Sequence, residues 1–464
     1  MKRPPGSRGL PPQSHAQRGA ASLAVVMVLF LVMALVAGYT GRNLIFEQRT
    51  GANQWRSTQA VEVAQAGLDW AIAQLNSGRI TDSCTASAST ADQSFRQRYL
   101  SIDDTTGQIT RLLPPGAPAD DSVGYWPSCI ATADGWSCRC PDEADPDMVP
   151  PKSASLEVRP GFRVRFLNGS PDTPGTIRIQ VAGCTRLSHP GDADDCLFFV
   201  DPSTASAGAS APTAQPDGKA IVSALVALKS GLAVPPGVAA VVRASAAGDV
   251  QISNADVASG GYTVQAGGAV TVPEAKLYSI PGVPPARSIL DADPSLADAA
   301  LPADPFPIGD RMFAQTFTLW PDLYREQPGT LVIDCAGVAC TDTQVRTAAS
   351  LNPGRPLWLT GPLEVNVAGD IGSAAEPLVL VVPGNLTFNV AATIHGAVYG
   401  GRSAAAPGLP WTLTGPGTVS GAVVAEHSLS GVGDPSIRFS REVLNHLRLQ
   451  TGTFVMVPGS WKDF

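Results

Sequence analysis

Cysteine is the residue type in this chain whose number and placement point most directly to chemistry. The 464 residues include eight cysteines, and all of them follow a long apolar run near the N-terminus. They are Cys84, Cys129, Cys138, Cys140, Cys184, Cys196, Cys335 and Cys340. An even number of cysteines on one side of such a run is typical of disulfides formed in an oxidising compartment. A structural zinc site would need a C-x2-C pair or histidines at ligand spacing, and the sequence has neither.

The cysteine spacing also suggests how the disulfides pair. Two local bridges are expected, Cys184–Cys196 and Cys335–Cys340. The remaining four cysteines allow three pairings. Two of the four form a C-x-C pair, and we expect one member of that pair to bridge to Cys129 and the other to Cys84. Which member goes to which partner stays open.

Two histidines and one acidic cluster are the other candidates for a functional site. His395 and His427 could lie on neighbouring coils of a repeat, although a lone histidine on a strand is more often structural than catalytic. Asp192, Asp194 and Asp195 could bind calcium through clustered oxygens, but they lack the spacing of an EF-hand loop, which favours a solvated turn. No local pattern marks a pair of catalytic carboxylates or a phosphate loop. We therefore expect a protein that is not an enzyme and that has no cofactor and no metal.

The N-terminal apolar run determines on which side of a membrane the rest of the chain lies. It covers Ala20 to Gly38 without a charge, and a basic leader over residues 1–19 precedes it. As a helix this run rises about 28 Å, enough to cross the core of a bilayer. The positive leader predicts a cytoplasmic N-terminus, with everything after Tyr39 outside. The side chains expected within the membrane include Ala20, Leu23, Ala24, Val28, Leu31 and Leu35.

Two alternatives to a membrane helix fit the same run less well. A secretory signal peptide has a shorter apolar core and an A-x-A-like cleavage site, of which Leu35–Gly38 is a poor version. A buried core helix would not be flanked by basic residues on one side only. The pattern therefore favours a helix inserted in a membrane.

Helical character continues beyond the membrane run. Residues 43–76 contain no proline and consist mostly of good helix formers. An apolar face recurs every three or four residues at Val61, Ala64, Leu68, Ile72 and Leu75. Asn76-Ser77-Gly78 predicts the end of the helix. The apolar face in the second half of a helix over residues 20–76 must pack against something. It could pack against other subunits, or only against the domain that follows it in the same chain.

This N-terminal region resembles that of type IV pilin-like proteins. The resemblance rests on Arg18-Gly19, on the apolar run, and on the motif from Ala60 to Leu68, within which Glu62, Ala66, Gly67 and Leu68 are the candidate site residues. It is most similar to the PilX family of minor pilins and covers about the first 76 residues. The last eight residues, VPGSWKDF, also resemble the ending of some large pilus-assembly proteins.

The resemblance implies processing and assembly. Prepilin peptidase would cut after Gly19, so that Ala20 becomes the new N-terminus and the helix packs into a filament core. Most pilins carry a glutamate five residues after the cut, which is thought to neutralise the terminal amine of a neighbouring subunit, and this chain has Ala24 there. Lacking that charge pair, which would be a docking device in lipid, the subunit is suited to a filament tip.

Length and composition limit the number of domains, the fold class and the partners that the rest of the chain can have. The length suggests two or three domains. Only 16% of residues are charged, while 46 are glycine and 41 are proline, and short Val/Ile/Thr runs between turn residues predict a β-rich exported part. The net charge of −8, with no basic patch beyond the leader, argues against nucleic acid as a partner.

The predicted fold class is α+β, with a long N-terminal helix, a disulfide-bearing middle region and a C-terminal β-rich domain. The expected segments are a leader (1–19), a pilin-like helix (20–76), a cysteine-bearing globular region (77–200), a linker (201–218) and a β-rich domain (219–464). The likeness of residues 393–400 to 418–425 indicates an internal repeat. Because strands this short cannot bury their faces alone, we expect a right-handed β-solenoid, with a β-sandwich as the alternative.

Three functional hypotheses follow. The first is a minor pilin-like structural subunit at or near a pilus tip, with pilins, prepilin peptidase and the inner membrane as partners and a location in the inner membrane and then on the cell surface. The second is a membrane-tethered adhesin or glycan-binding module outside any filament, whose partner would be a host or surface glycan. The third is a carbohydrate-acting enzyme built on the solenoid.

Overall fold

The structure is a computed structural model that describes residues 18–118, 124–145, 160–169, 172–185, 218–298, 310–401 and 409–463. The chain divides into two compact units, Met1–Gln59 and Ala60–Phe464. Its described part is a mixture of helices and strands, which confirms the α+β class. The expected linker at 201–218 lies almost wholly outside the described residues.

Seven α-helices occur in the described part of the chain. They are α1 (Arg18–Leu75), α2 (Phe95–Tyr99), α3 (Pro294–Asp298), α4 (Asp310–Phe317), α5 (Pro321–Arg325), α6 (Asp342–Leu351) and α7 (Arg441–Gln450). The first helix was expected over residues 20–76, and it begins and ends within two residues of that prediction.

The strands of the described residues are numbered in chain order. The first nine are β1 (Leu100–Ile102), β2 (Ile109–Arg111), β3 (Ser128–Thr132), β4 (Gly135–Arg139), β5 (Gly161–Asn168), β6 (Thr176–Cys184), β7 (Lys219–Ser230), β8 (Ala240–Val242) and β9 (Ala246–Gly248). The next nine are β10 (Gln251–Ser253), β11 (Val264–Ala266), β12 (Leu277–Tyr278), β13 (Ile289–Leu290), β14 (Leu331–Ile333), β15 (Cys340–Thr341), β16 (Leu357–Leu359), β17 (Leu363–Val365) and β18 (Gly369–Ile371). The last nine are β19 (Leu378–Pro383), β20 (Leu386–Phe388), β21 (Ala392–Gly401), β22 (Trp411–Thr414), β23 (Thr418–Ala425), β24 (Leu429–Val432), β25 (Ser436–Phe439), β26 (Gly452–Met456) and β27 (Lys462–Asp463).

The first unit contains the N-terminal part of α1. Its large apolar side chains are exposed, from Leu23 at 63% to Phe46 at 70%. Among the described residues, α1 is the one helix that is long and apolar enough to cross a membrane. Exposure of so many adjacent apolar side chains is what a segment meant for lipid or for partner helices shows.

The second unit begins with the C-terminal part of α1 packed on an antiparallel sheet. The strand order in this sheet is β26-β7-β6-β5-β3-β4, with β27 also paired to β7. The helix buries the face that includes Ala64, Leu68 and Leu75, and Val61 and Ile72 contact the same core at its margin. The apolar face predicted from helical periodicity is therefore confirmed.

The antiparallel sheet contains strands from both sides of the expected domain boundary at residue 218. Strand β7 begins immediately after the predicted linker, yet it pairs with β6 on one side and with β26 on the other. A boundary at residue 218 therefore does not separate two sheets, because chain from both sides of it forms adjacent strands. The segment that leaves the antiparallel sheet is 231–451, between the end of β7 and the start of β26. We call this segment the inserted module.

The inserted module consists of parallel strands stacked in layers. Its strands form a 12-stranded and a 6-stranded sheet, and among the described residues every pair of neighbouring strands within these two sheets is parallel. Apolar residues stack in columns, one of which is Leu331, Leu357, Leu380, Val398, Val423, Ala240, Val264 and Ile289. These columns lie in one buried core. The predicted repeat pairs residue for residue, from Thr393 with Thr418 to Gly400 with Ala425.

The order of the layers departs from the order of the chain. The strands β8, β9 and β10 pair with β23, β24 and β25, which come last in the module. The chain therefore starts in the middle of the stack, adds layers toward β13, and resumes at the other end with β14. This order follows from the insertion, because the module must leave and rejoin the antiparallel sheet at two adjacent strands.

A third core covers part of the outer face of the 12-stranded sheet. Helices α4, α5 and α7 contribute Phe313, Phe317, Tyr324 and Leu447 to it, packed against strand residues such as Tyr399. Helix α7 contacts β21 and β23 in the middle of the stack. Helix α7 therefore covers the middle of the stack and not one of its ends.

Candidate functional site

The C-terminal part of α1 approaches the antiparallel sheet unusually closely. A Cβ atom built on Gly183 of β6 would lie 2.5 Å from the carbonyl oxygen of Ala60. A Cβ on Gly67 of α1 would lie 2.7 Å from the ring of Phe162 and 2.8 Å from Val181. Glycine at these two positions lets the helix backbone and the sheet come together, since a larger residue would force them apart.

The four motif residues divide between two faces of α1. Gly67 and Leu68 are buried against the sheet, whereas Glu62 and Ala66 are exposed. The exposed face also includes Gln65, Asp69 and Ala73. Since these residues recur every three or four positions, they form one continuous stripe along the helix. This stripe is the part of α1 in the second unit that the antiparallel sheet leaves uncovered.

The predicted processing site lies at the start of α1. Gly19 and Ala20 fall in the first turn of the helix, which begins at Arg18. The other residues predicted to lie in the membrane, including Ala24, are in the exposed part of the first unit: Leu23, Ala24, Val28, Leu31 and Leu35.

The end of α1 is held by two residues for which the sequence predicted no such role. Asn76 donates through Nδ2 to the carbonyl oxygen of Phe454 at 2.9 Å and accepts from the Phe454 amide at 2.8 Å. These are the two hydrogen bonds that a neighbouring strand would make. Asn76 was expected only to mark the end of the helix, and its partner is 378 residues away.

Arg96 is the second such residue, and it joins three parts of the chain. Its guanidinium donates to the carbonyl oxygens of Leu75 at 3.0 Å, Gly354 at 3.0 Å and Gly452 at 3.2 Å. It also lies 5.1 Å from the centre of the Phe454 ring. Burial, together with the charge of Arg355, lowers the pKa of Arg96 to about 9, so the side chain remains charged at neutral pH.

Disulfides reinforce the antiparallel sheet and the segment that precedes it in the chain. Cys84 is bonded to Cys140 and Cys129 to Cys138, which is one of the two solutions left open for these cysteines. Cys335 is bonded to Cys340 in the inserted module. Cys184 is also disulfide-bonded, and its expected partner Cys196 lies outside the described residues.

The two candidate histidines occupy different surroundings. His395 lies on β21, with Nε2 3.7 Å from a carboxylate oxygen of Asp370. His427 lies in the turn after β23, where its Nδ1 accepts from the amide of Ser428 at 2.8 Å. Among the described residues no group of three or more His, Cys, Asp and Glu is placed to hold a metal ion. Asp192, Asp194 and Asp195 lie outside the described part of the chain.

The inserted module contains a cleft at one corner of the stack. This corner is formed by the turns that lead from the 12-stranded to the 6-stranded sheet, and the cleft has a volume of about 330 Å³. Its described lining residues are Pro362, Gly384, Asn385, Gly400, Gly401, Leu409, Pro410, Trp411, Thr412 and His427. We call this feature the corner cleft.

No protein-family model and no curated protein sequence matches the chain. Among solved structures the chain is similar to the crystal structure of the competence-associated pilin ComZ from Thermus thermophilus. The identity is 13%, and the match covers 88% of this chain and 97% of that chain. The TM-score is 0.20, which is too low for the likeness to establish a shared fold or function.

Proposed function

We propose that this protein is a pilin-like structural subunit, a minor pilin of the PilX type, which supports assembly of a type IV pilus and surface attachment. One observation carries the proposal. Helix α1 combines an exposed, uncharged apolar part in the first unit with a part in the second unit that is packed on an antiparallel sheet and still leaves a stripe exposed. A helix with these two parts can be stored in a membrane and later packed among other helices.

In this proposal prepilin peptidase removes residues 1–19 and leaves Ala20 as the N-terminus. The basic leader holds the N-terminus in the cytoplasm, and the second unit faces the periplasm before the subunit reaches the cell surface. The partners are other pilins and minor pilins. The chain acts through assembly and display, and not as an enzyme.

We place the subunit at or near the filament tip. The reason is Ala24, which cannot offer a carboxylate to the terminal amine of a neighbour in lipid. Its own amine could still pair with the glutamate of another subunit. A subunit that has the terminal amine but not the glutamate suits the end of the filament at which assembly begins.

The inserted module is the part that would be displayed, and we propose that it is a right-handed β-solenoid. Its parallel ladders and stacked apolar columns support this proposal. The β-sandwich alternative is less compatible with the pairing, because sandwiches are built from antiparallel strands.

Processing by the peptidase is the direct test of the pilin proposal. The precursor should shorten in wild-type cells and keep its full length both in cells without prepilin peptidase and as the variant Gly19→Phe. Gly9→Phe, in the same leader, is the matched control and should be processed normally. A chain whose length on immunoblots does not depend on the peptidase or on Gly19 would contradict the proposal.

A membrane-tethered adhesin outside any filament is the second candidate. The corner cleft is compatible with this candidate and with the minor pilin, because a surface cleft could bind a ligand on a tethered module as well as on a pilus. The two candidates differ in location. Immunogold labelling of sheared, purified pili should detect the protein at filament ends if it is a minor pilin, and should find it only in the membrane fraction if it is a tethered adhesin.

A further inference from the structure

Helix α1 has two arginines shortly after the apolar run of the first unit. Arg42 and Arg49 are exposed, and neither is hydrogen-bonded or paired with a carboxylate among the described residues. They lie seven positions apart, which is nearly two helical turns, so they share one face and are about 10 Å apart along the axis. The same face exposes Ile45 at 53% and Phe46 at 70% between them. We call Arg42 and Arg49 the arginine pair.

The exposed stripe of α1 in the second unit carries two carboxylates at the same spacing. Glu62 and Asp69 are exposed, again seven positions apart, and neither has a hydrogen bond or an ion pair with another described residue. Gln65 and Ala66 lie between them on the same face and are also exposed. Since Ala66 has only a methyl group, the stripe is shallow at this point. We call Glu62 and Asp69 the carboxylate pair.

The two faces of α1 complement each other in charge and in size. A second copy of α1 that lies parallel to the first and is shifted by twenty positions brings four pairs of residues to the same level. These are Arg42 with Glu62, Ile45 with Gln65, Phe46 with Ala66, and Arg49 with Asp69. Both arginines then meet carboxylates, the phenyl ring meets the methyl group, and no two like charges of α1 become level.

We propose that α1 binds α1 of a second copy of this chain, with the arginine pair of one copy against the carboxylate pair of the other. The inference deepens the proposed function, because it names a neighbour of the subunit, and it rests on that function for the common direction of the two helices in a membrane. Ala24 cannot pair with a neighbour's amine, and the two ion pairs attract a neighbour instead. The contact is head-to-tail, so each copy keeps one half of it free and further copies can follow the first.

Two ion pairs at a fixed spacing determine the register of the contact as well as the attraction. One exposed ion pair contributes little by itself, whereas two pairs that form together, with an apolar patch covered between them, favour a single shift. A shift of thirteen positions would also form two pairs, but it would use Arg56 in place of Arg42. Arg56 is partly buried and already engaged in an interaction, so it is less available than Arg42.

Photo-cross-linking in living cells tests the contact without removing the protein from its membrane. The photoreactive amino acid p-benzoylphenylalanine replaces Phe46 in the full chain, and two differently tagged copies are expressed together. Irradiation should give a covalent product of two copies, and mass spectrometry should place the bond at or next to Ala66. Leu44 is 57% exposed and lies on the opposite side of the helix from Phe46. The same replacement at Leu44 is the matched control and should give no bond near Ala66.

Charge exchange tests the two ion pairs. One variant reverses the arginine pair (Arg42→Glu with Arg49→Glu), and another reverses the carboxylate pair (Glu62→Arg with Asp69→Arg). Either variant in both copies should lower the cross-linked fraction about tenfold or more, because like charges would face each other. Arg42→Glu alone should lower it as well, since only the shift of twenty positions uses Arg42. A copy with the reversed arginine pair beside a copy with the reversed carboxylate pair should restore the product, which also shows that both variants fold.

The matched controls are Glu47→Arg and Asp134→Arg, which reverse exposed charges that the contact does not use and should leave the cross-linked fraction unchanged. Three outcomes would overturn the proposal. The first is that no product of two copies forms. The second is a loss with the arginine reversal alone, as expected if the arginines only bind anionic lipid head groups. The third is that the exchanged pair does not restore the product.

The cross-link needs only two copies in one membrane, so it is also measured in cells without prepilin peptidase. A chain that cross-links but is never processed retains this contact and contradicts the pilin proposal. A chain that is processed but does not cross-link supports the pilin proposal and overturns this inference. The two failures are therefore distinguishable.

Discussion

The side-chain amide of Asn76 forms two hydrogen bonds with the backbone of Phe454, at 2.9 and 2.8 Å. Asn76 follows the last residue of α1, and Phe454 is in the edge strand β26 of the antiparallel sheet. The pair covers the outer edge of that strand where another strand would otherwise pair. The same contact ties the end of the helix to the segment that returns from the inserted module.

Replacing Asn76 should therefore destabilise the second unit. Asn76→Ala leaves a buried donor and a buried acceptor of Phe454 without partners, and we expect a loss of about 2–4 kcal/mol in the free energy of unfolding. Denaturant unfolding followed by circular dichroism measures it. Asn389→Ala removes an asparagine that is exposed, with an expected change below about 0.5 kcal/mol. Equal effects of the two variants would contradict the role given to Asn76.

Two glycines of α1 should respond in opposite ways to alanine. At both positions alanine improves helix propensity by about 1 kcal/mol. At Gly67 the new methyl group meets Phe162 and Val181 at 2.7–2.8 Å, and overpacking of a core costs about 1–3 kcal/mol. Gly51 has nothing within 4 Å, so no clash opposes the gain there. We expect Gly67→Ala to lower the thermal midpoint of the second unit and Gly51→Ala to leave it unchanged or raised. A Gly67→Ala variant as stable as Gly51→Ala would contradict the close helix–sheet contact.

Asp342 should make stability depend on acid pH. It is 1% exposed at the start of α6, and its carboxylate accepts from the amides of Asn366 and Val367 and from Nε of Arg346, each at 3.2 Å. Burial alone would raise its pKa, but these hydrogen bonds and the Arg346 charge outweigh burial and lower it. Because the folded pKa lies below the unfolded value of about 3.9, the stabilisation is present above that value. It is lost as the pH falls below about 4 through the folded pKa.

The measurement compares wild type with Asp342→Asn at pH 7 and pH 3. At pH 7 the variant should be less stable by about 2 kcal/mol, since it loses charge-assisted hydrogen bonds. At pH 3 the difference should be smaller, because the Asp342 carboxyl of the unfolded chain, with a pKa of about 3.9, is then mostly protonated. Asp69→Asn, at an exposed position of α1, is the control. A difference that is the same at both pH values would show that the Asp342 carboxylate is not stabilised in the folded state.

The antiparallel sheet should fold without the inserted module. Ser230 and Gly452 are paired residues of β7 and β26, so a two-residue Asn-Gly turn can join them as a hairpin. Among the described residues, no member of segment 231–451 belongs to the core beneath α1. The shortened chain should form the disulfides Cys84–Cys140 and Cys129–Cys138, as peptide mapping by mass spectrometry without reduction would show. Scrambled disulfides, also with a longer Gly/Ser connection, would mean that the module is required for folding.

Ala24→Glu should change where the subunit is found in a pilus. The added carboxylate could pair with the terminal amine of a neighbour, which would allow further subunits to be recruited. We expect immunogold label along the shaft in addition to the ends. Ala24→Ser, which adds a polar group without a charge, is the control. Unchanged labelling at the ends only would contradict the reason given for a tip position.

The sequence predicted those parts of the fold that depend on neighbours in the chain. Helix α1 was predicted to within two residues because hydropathy and helical periodicity are local signals. The repeat was found because residues 393–400 and 418–425 resemble each other, and they pair in that register. The face of α1 that includes Ala64 and Leu68 was predicted for the same reason.

Contacts between distant segments could not be predicted in this way. Nothing local in β7 indicates that its neighbour is β26, and the composition of residues 201–218 marks a loop without indicating to which sheet the next strand belongs. The contacts of Asn76 and Arg96 depend on the same long-range pairing. The corner cleft depends on turns from successive layers, so its residues are scattered over the sequence from Pro362 to His427.

The insertion of the module between β7 and β26 also determines how the protein would bear a mechanical load. A pull on the module, directed along these strands, acts on both of them at the same end, so the five residue pairs between β7 and β26 carry only the share of the force that enters through β26. The tension passes to the nine pairs between β6 and β7, which are loaded in parallel and must slide together to fail. Two covalent connections share the force that a single tether would carry alone.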